Sequence, residues 1–399
     1  MGRVTDVGER LAELRRAGLH RRLRLIEGPQ GPRVLLDGAD VLLLCANNYL
    51  GLADHPRVRA AAAEAARRLG AGAGASRLIS GTMTIHRRLE HRLAEFKRAE
   101  AALLFGSGYL ANTGTIAALA GRGEVVFSDQ LNHASIIDGC RLSRAETFVY
   151  RHLDTDHLAW GLRRAGERAA LIASDGVFSM DGDVAPIAEL VELSRRHRCR
   201  LLIDEAHGTG ALGPGGRGAV AEAGLSSEVD VIVGTLGKAL GSYGAYVCAR
   251  AELIDLLVNT ARPFIFSTAP PPPAAAAALA ALELVERQPE LVERLRGNAE
   301  VLRGALVERG LEPGPSRTQI IPLVVGDAGT ALELCERALE RGVFAQAIRP
   351  PTVPEGSSRL RLAVMATHRV EELRDAGRAI TDAARELGIG SGIPTARAA

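Results

Sequence analysis

Cysteine is sparse and scattered in this 399-residue chain. The five present, Cys45, Cys140, Cys199, Cys248 and Cys335, are odd in number and never spaced as CxxC. That argues against a disulfide framework or a zinc site, so no metal is expected, and it fits a reducing cytosol. An excess of one charge is also missing. Lys and Arg total 49 against 47 Asp and Glu, a net of +2, so the balance gives no reason for nucleic acid or an anionic membrane as the main partner. The one notable basic cluster near the start, Arg21, Arg22 and Arg24, reads either as a solvated helix face or as an anion contact. No uninterrupted apolar run approaches the roughly 18–20 residues a membrane helix needs. Met1 to Leu11 carries charges where a secretory signal has its apolar centre. There is no internal repeat. The expectation is a soluble, cytoplasmic protein.

What is present is an ordinary globular composition, 47% hydrophobic and 24% charged, in a chain longer than the roughly 250–300 residues at which single cores stop growing. Residues 1–25 carry a crude helical stripe of Leu11, Leu14, Leu19 and Leu23. From about residue 50, short apolar runs alternate with helical stretches such as Ala185–His197. The runs are Ala101–Phe105, Glu124–Ser128, Thr147–Tyr150, Ala169–Ser174, Arg200–Asp204, Asp230–Gly234 and Gly244–Ala249. This alternation predicts an α/β domain with a largely parallel sheet of seven strands flanked by helices. Continuous runs such as Leu201-Leu202-Ile203 suit strands buried on both faces. After Phe266 the pattern changes. Pro270–Pro273 and Ala274–Ala281 open a long helical stretch to about Arg309. Ile320–Val325 and Arg359–Val364 read as strands and Arg369–Leu387 as a helix. Together these give an N-terminal segment at 1–49, a large domain at 50–285 and a smaller α+β domain at 286–399. The Gly-rich end from Gly388 to Ala399 reads as disordered.

Five segments carry chemistry, each just beyond a predicted strand end, where open α/β sheets build their sites. Arg200–Asp204 ends in an acid, with His207 three residues on. A carboxylate there calls for a cation such as a protonated pyridine nitrogen, although an N-cap Asp is the commoner use. Asp230–Gly241 runs from a strand into a small-residue loop holding Lys238, with Thr235 able to bond a phosphate. A lone Lys is usually solvated, but this one sits among glycines. The loop is no Walker A, since Ile232 and Ala239 stand where that motif needs Gly and Ser or Thr. Ala101–Asn112 passes through Gly106 and Gly108 to Tyr109 at a helix start, an anion site suited to phosphate. The same segment matches G-x-G-x-x-A, with Asp129 after the next strand, so an NAD-dependent dehydrogenase is a competing reading. His133 could lie over a ring or cap a helix. Ser179 could bond a cofactor or sit in an ordinary turn.

Six longer stretches, Asn47–Gly51, Ser76–Gly81, Asn132–Ser135, Asp175–Gly182, Asp204–His207 and Gly234–Lys238, resemble those of the α-oxoamine synthases among the fold-type-I pyridoxal-phosphate (PLP) enzymes. The resemblance spans about His20 to Leu387. It implies a transferase whose PLP is held as a Schiff base on Lys238, with Asp204 on the pyridinium nitrogen, His207 on the ring hydroxyl and His133 stacked on the ring. Gly108 and Tyr109 would offer backbone amides, with Thr235 on the phosphate and Ser179 beside the ring. It implies a homodimer with shared sites, in which Ser267 and Thr268 reach the partner's phosphate. Asn47 and Arg361 would hold the amino-acid carboxylate, although Arg359 shares Arg361's strand face. Ala347–Pro354 with Arg359-Leu-Arg361 points to the branch that condenses L-alanine with a pimeloyl thioester on CoA or an acyl carrier protein, as in biotin biosynthesis. Arg21 and Thr352 would then touch the acyl chain. Cys45–Gly51 and Leu131–Gly139 would be at home in the branch that joins glycine to an acetyl group.

Overall fold

The structure is a computed structural model, and it describes residues 6–390. The end beyond Gly390, part of the Gly-rich stretch expected to lack order, lies outside the described residues, as does the start before Asp6. Contacts divide the chain into two compact units. The larger comprises Asn47–Ser179 and Asp183–Leu295. The smaller comprises Met1–Ala46, Met180–Gly182 and Arg296–Ala399. Among the described residues no helix is long and apolar enough to cross a membrane.

The larger unit is built on a seven-stranded sheet, as the apolar runs predict. Its strands are β1 (Ala101–Phe105), β2 (Val125–Asp129), β3 (Glu146–Tyr150), β4 (Ala169–Asp175), β5 (Arg200–Asp204), β6 (Val231–Thr235) and β7 (Ala245–Ala249). The spatial order is β1-β7-β6-β5-β4-β2-β3. Strands β2 to β6 pair in parallel, whereas β7 runs antiparallel to both β1 and β6. Leu201, Leu202 and Ile203 are wholly buried, which is what parallel strands covered on both faces require. Two helices matter for the site, α1 (Gly108–Leu119) after β1 and α2 (Ala134–Ser143) after β2. Both pack their Ala111, Ile116, Ile136 and Cys140 into the main core with Phe105 and Val233.

Two of the longer motifs have structural explanations. In Ser76–Gly81, the Arg77 guanidinium forms a two-pronged pair with the Glu90 carboxylate at 2.8 and 3.1 Å, both side chains buried. The same carboxylate accepts from the Leu104 amide at 3.1 Å. A Cβ on Gly81 would lie 2.1 Å from the Ala75 carbonyl oxygen. In Gly234–Lys238, the Tyr246 ring of β7 lies against Gly234 of β6, and a Cβ there would come within 2.3 Å of it. Tyr246 is itself fully buried and its hydroxyl bonds Thr209 at 2.9 Å. Gly234→Ala is therefore expected to destabilise the protein by about 1–3 kcal/mol, because a packed ring must move. Denaturant unfolding of the variant beside wild type checks this, and an unchanged midpoint would refute the packing argument.

The smaller unit holds a four-stranded sheet, in order Ile26–Glu27, Arg33–Leu36, Ala39–Leu43 and Val343–Phe344, and a three-stranded one, in order Ile320–Gly326, Ser358–Ala363 and Gln346–Ile348. The structure corrects two expectations. The helix expected over residues 1–25 is confined to Val7–Arg16, with Asp6 accepting from the Gly8 and Glu9 amides at its start. Gly18 then takes a positive φ of 65°. Leu19 and Leu23 lie outside the helix, Leu23 is fully exposed, and no residue of the helix is buried, so the leucine stripe is not a core face. Arg21, Arg22 and Arg24 are accordingly not a helix face; Arg22 and Arg24 pair with Glu336. The long helical stretch to Arg309 is two helices, Pro272–Arg287 and Glu290–Val307. Pro289 has no N–H to donate and turns the residue before it out of helical geometry, as Gln288 shows with φ −131° and ψ 66°.

Candidate active site

The larger unit gathers Gly108, Tyr109, His133, Ser135, Asp175, Asp204, Ala206, His207, Thr235 and Lys238 around one crevice of about 170 Å³. Each comes from just beyond a strand's carboxyl end or from the start of the following helix, as parallel strands with crossover helices dictate. The first turn of α1 sets Gly108 and Tyr109 at its positive end, with Ser107 as N-cap accepting from the Leu110 amide at 3.2 Å. A Cβ on Gly108 would meet nothing within 4 Å, so there is open room above that helix start. The Tyr109 hydroxyl donates to Asp138.

Asp204, at the end of β5, is buried. It accepts from Asn112 Nδ2 at 2.6 Å and from the Ala206 amide at 2.8 Å, both neutral donors. A buried carboxylate so placed suits a cationic N–H brought by a ligand. Lys238 Nζ lies 2.6 Å from His207 Nε2, and His207 Nδ1 lies 2.6 Å from the Tyr49 hydroxyl. Tyr49 donates to Asn47 Oδ1 at 3.1 Å. With that proton directed at Asn47, His207 Nδ1–H donates to the Tyr49 oxygen and Nε2 accepts from Lys238. The chain has two lysines, Lys97 and Lys238. Lys97 is buried away from the crevice, with Nζ on the Arg217 carbonyl at 2.5 Å. Lys238 is thus the one lysine that the crevice offers to a ligand.

His133 precedes α2. Its amide donates to Asp175 Oδ2 at 2.6 Å, and its Nδ1 accepts from the Ser135 amide at 3.3 Å. Burial holds the imidazole below its ordinary range; Asp204 opposes this and Lys238 reinforces it. The ring is then neutral near pH 7, with its proton on Nε2. Asp175 is pushed well up by burial and next by the Asp204 charge, while the His133 amide pulls the other way. Two acids at neighbouring strand ends, paired in register, therefore differ in environment.

Of the residues singled out from sequence, Gly108, Tyr109, His133, Asp204, His207, Thr235 and Lys238 meet at this crevice. Thr235 Oγ1 accepts from the Gly237 amide at 3.2 Å and donates to the Gly244 carbonyl at 3.1 Å. Asn47 lies behind Tyr49. Ser179 is half-buried in the loop after β4 and does not line the crevice. Neither do Ser267 and Thr268, the latter exposed and bridged to Ser76. Arg21, Thr352 and Arg361 belong to the smaller unit. There Arg21 and Thr352 are exposed, Arg361 and Arg359 are buried on one strand, and Arg359 is engaged by Asp181. Sequence reasoning gave no role to Tyr49, Asn112, Ser135 or Asp175. Three of them stand inside the motifs, and Asn112 lies one helical turn after Gly108, but only the fold brings them to the catalytic side chains. The dehydrogenase reading loses its acid, because the Asp129 carboxylate is buried and already accepts from the Leu131 and Leu153 amides at 2.8 and 2.9 Å.

The family model for aminotransferase class I and II matches residues 39–380. The chain belongs to that family and, within it, to the α-oxoamine synthase branch. An 8-amino-7-oxononanoate synthase of Geobacter sulfurreducens is 53% identical over 96% of this chain and 99% of its own length. One from Pelobacter propionicus is 52% identical over 98% of this chain and 100% of its own. Among solved structures, a serine palmitoyltransferase from S. paucimobilis with bound PLP–myriocin aldimine superposes with a TM-score of 0.91, at 32% identity, over 96% of this chain and 98% of that one. An 8-amino-7-oxononanoate synthase from Francisella tularensis superposes with a TM-score of 0.76, at 27% identity, over 88% of this chain and 99% of that one.

PLP fits the residues present. An amine, a buried carboxylate suited to a pyridinium, open space at a helix start and a neutral imidazole surround one crevice.

Proposed function

We propose that this chain is a PLP-dependent acyltransferase that condenses L-alanine with a pimeloyl thioester, giving 8-amino-7-oxononanoate, carbon dioxide and the free thiol carrier, a step of biotin biosynthesis in the cytoplasm. The observation that carries the reading is full-length identity of 51–53% to several proteins of that name, joined to a crevice whose groups suit the chemistry.

Bound PLP supplies an electron sink for negative charge developing at the amino-acid Cα. Lys238 is the residue that would hold it covalently, with the Gly108 and Tyr109 amides and Thr235 at the phosphate. Asp204 keeps a proton on the ring nitrogen, and Asn112 keeps Asp204 in place. Lys238 Nζ takes the Cα proton and later returns one to the product carbon; His207, itself braced by Tyr49, orients that amine. His133, neutral with Nε2–H, donates to the oxygen that gains charge as the thioester carbonyl is attacked. Ser179, in the loop after β4, would approach the ring edge from outside the crevice lining. Asn47 and Arg361 would take the amino-acid carboxylate. Arg21 and Thr352 contact the acyl chain.

The working form in this reading is a homodimer with Ser267 and Thr268 reaching the partner's cofactor phosphate. Support comes from Phe266 and Ile79, which are 71% and 81% exposed on either side of the Ser76–Thr268 bridge. Apolar side chains so placed suit burial against a second copy.

The test is a product assay on purified holoenzyme with L-alanine and either pimeloyl-CoA or pimeloyl acyl carrier protein. The expected result is 8-amino-7-oxononanoate by mass, with glycine plus acetyl-CoA at least about tenfold slower, the discrimination a few well-placed contacts supply. Preferred turnover of glycine with acetyl-CoA would move the chain to the neighbouring branch and overturn the substrate assignment.

A further inference from the structure

In the larger unit, outside the crevice lining, lies a group that none of these steps uses. His152 follows β3 and is clamped between two carboxylates, with Nδ1 2.8 Å from Asp129 Oδ1 and Nε2 2.6 Å from Asp183 Oδ2. An ionised carboxylate only accepts, so both ring nitrogens donate and the ring is an imidazolium. The Phe178 ring meets it edge-on at 4.5 Å.

Each carboxylate also organises a loop of the site. Asp129 accepts from the Leu131 amide and its carbonyl accepts from the Asn132 amide at 3.2 Å, which shapes the turn leading into His133. Asn132 continues this order, since its side-chain oxygen accepts from the Asp175 amide at 2.9 Å. Asp183 closes the loop after β4, with its carbonyl accepting from the Phe178 amide at 3.0 Å and Val184 bridged to Val177. Ser179 is in that loop.

The charged and titratable neighbours come from every element around the ring. Asp129 on β2 and Asp183 in the loop face the ring, and Tyr150 on β3 and Asp175 on β4 act on Asp129 from the other strands. Just beyond β3 stand the Arg151–Asp154 pair at 2.7 Å and His157, whose Nδ1 accepts from the Arg151 amide at 3.0 Å. Burial pushes Tyr150 above its ordinary range and raises Asp175 well above its own, so each favours its uncharged form more than a solvated group would. The clamp itself is one cation between two anions.

We propose that protonated His152 is a positioning residue for the condensation, tying the turn that presents His133 to the loop that carries Ser179. Loss of its charge frees both loops together. The inference rests on the roles given to His133 and Ser179 in the proposed function. Burial disfavours the imidazolium, but the hydrogen bonds to Asp129 and Asp183, with their charges, overcome this and lift His152 to about 9. A folded value raised above the ordinary 6.5 means that stabilisation is complete below about pH 6.5 and is lost as pH rises through about 9.

The experiment uses the full-length holoenzyme, wild type beside His152→Gln and Asp183→Asn. Imidazole resonances are followed by NMR against pH, with His152 assigned by its loss in His152→Gln. The expected midpoint is about 9 in wild type, shifted down in Asp183→Asn. The wild-type advantage in thermal midpoint over His152→Gln should shrink between pH 6.5 and 9. At pH 7, kcat of His152→Gln should fall roughly 10- to 100-fold, the scale of a small misplacement of reacting groups, with the L-alanine KM changed less than about twofold because only transition-state contacts are lost. A wild-type midpoint near 6.5, or wild-type kcat in a folded His152→Gln, would overturn the proposal. Neither the NMR nor the stability measurement needs a substrate. An ordinary midpoint in an enzyme that makes 8-amino-7-oxononanoate would sink this inference alone, while a raised midpoint in an enzyme that prefers glycine would sink only the substrate reading.

Discussion

Lys238→Ala is expected to abolish turnover, with kcat lower by at least about 10³-fold, since a positioned proton-transfer group alone supplies roughly 10²- to 10⁴-fold. The loss should be nearly complete because no neighbour can substitute. The only other lysine, Lys97, is buried and engaged with the Arg217 carbonyl. His207 reaches the Lys238 amine, but it lies behind that amine on the path to Tyr49 and Asn47. The variant should fold as wild type does, since Lys238 is half-buried at the crevice rather than packed in the core. Circular dichroism and an unfolding curve check the fold, and a continuous assay of thiol release checks the rate. Activity near that of wild type would remove Lys238 from the mechanism.

Asp204→Asn is the second large effect. The amide keeps the size of the carboxylate but loses the charge that holds a proton on the ring nitrogen. Asn112 Nδ2, which donates to Asp204 at 2.6 Å, would still find an oxygen there. Cofactor should remain bound, because Lys238, Thr235 and the start of α1 are untouched. Exchange of the L-alanine Cα hydrogen with solvent deuterium, measured without acyl donor, should slow roughly 10²- to 10³-fold, as when one preorganised electrostatic partner is removed. Unchanged exchange with full cofactor content would contradict the role of Asp204.

The sheet was the most legible part of the molecule. All seven strands stand within a residue or so of the apolar runs that announce them; for six of them the reason is that strands covered on both faces cannot hide polar residues among their inward positions, while the edge strand β3 has Glu146, Thr147 and Val149 exposed. The same logic placed Asp204 and Lys238 at strand ends. The paired short strands from Ile26 to Leu43 went unseen. Arg33–Leu36 alternates exposed and buried residues over only four positions, and Ala39–Leu43 finds its second neighbour in Val343–Phe344, some 300 residues away. Leu19 and Leu23 misled because an i, i+4 spacing says nothing of what, if anything, lies opposite. Pro289 was readable as a helix break by its chemistry alone. In the site, the residue types that react were legible, while those that hold them were not. Asn112 meets Asp204 across 92 positions and Tyr49 meets His207 across 158. Such partners are ordinary amides and phenols whose purpose comes only from the packing around them.

The most direct test of the central claim is to reduce the holoenzyme with borohydride, digest it and map the pyridoxyl adduct by mass spectrometry. The account predicts one modified peptide carrying the adduct on Lys238, with Lys97 unmodified and the adduct lost in Lys238→Ala. An adduct on Lys97 or the terminal amine, or none in protein saturated with cofactor, would contradict it.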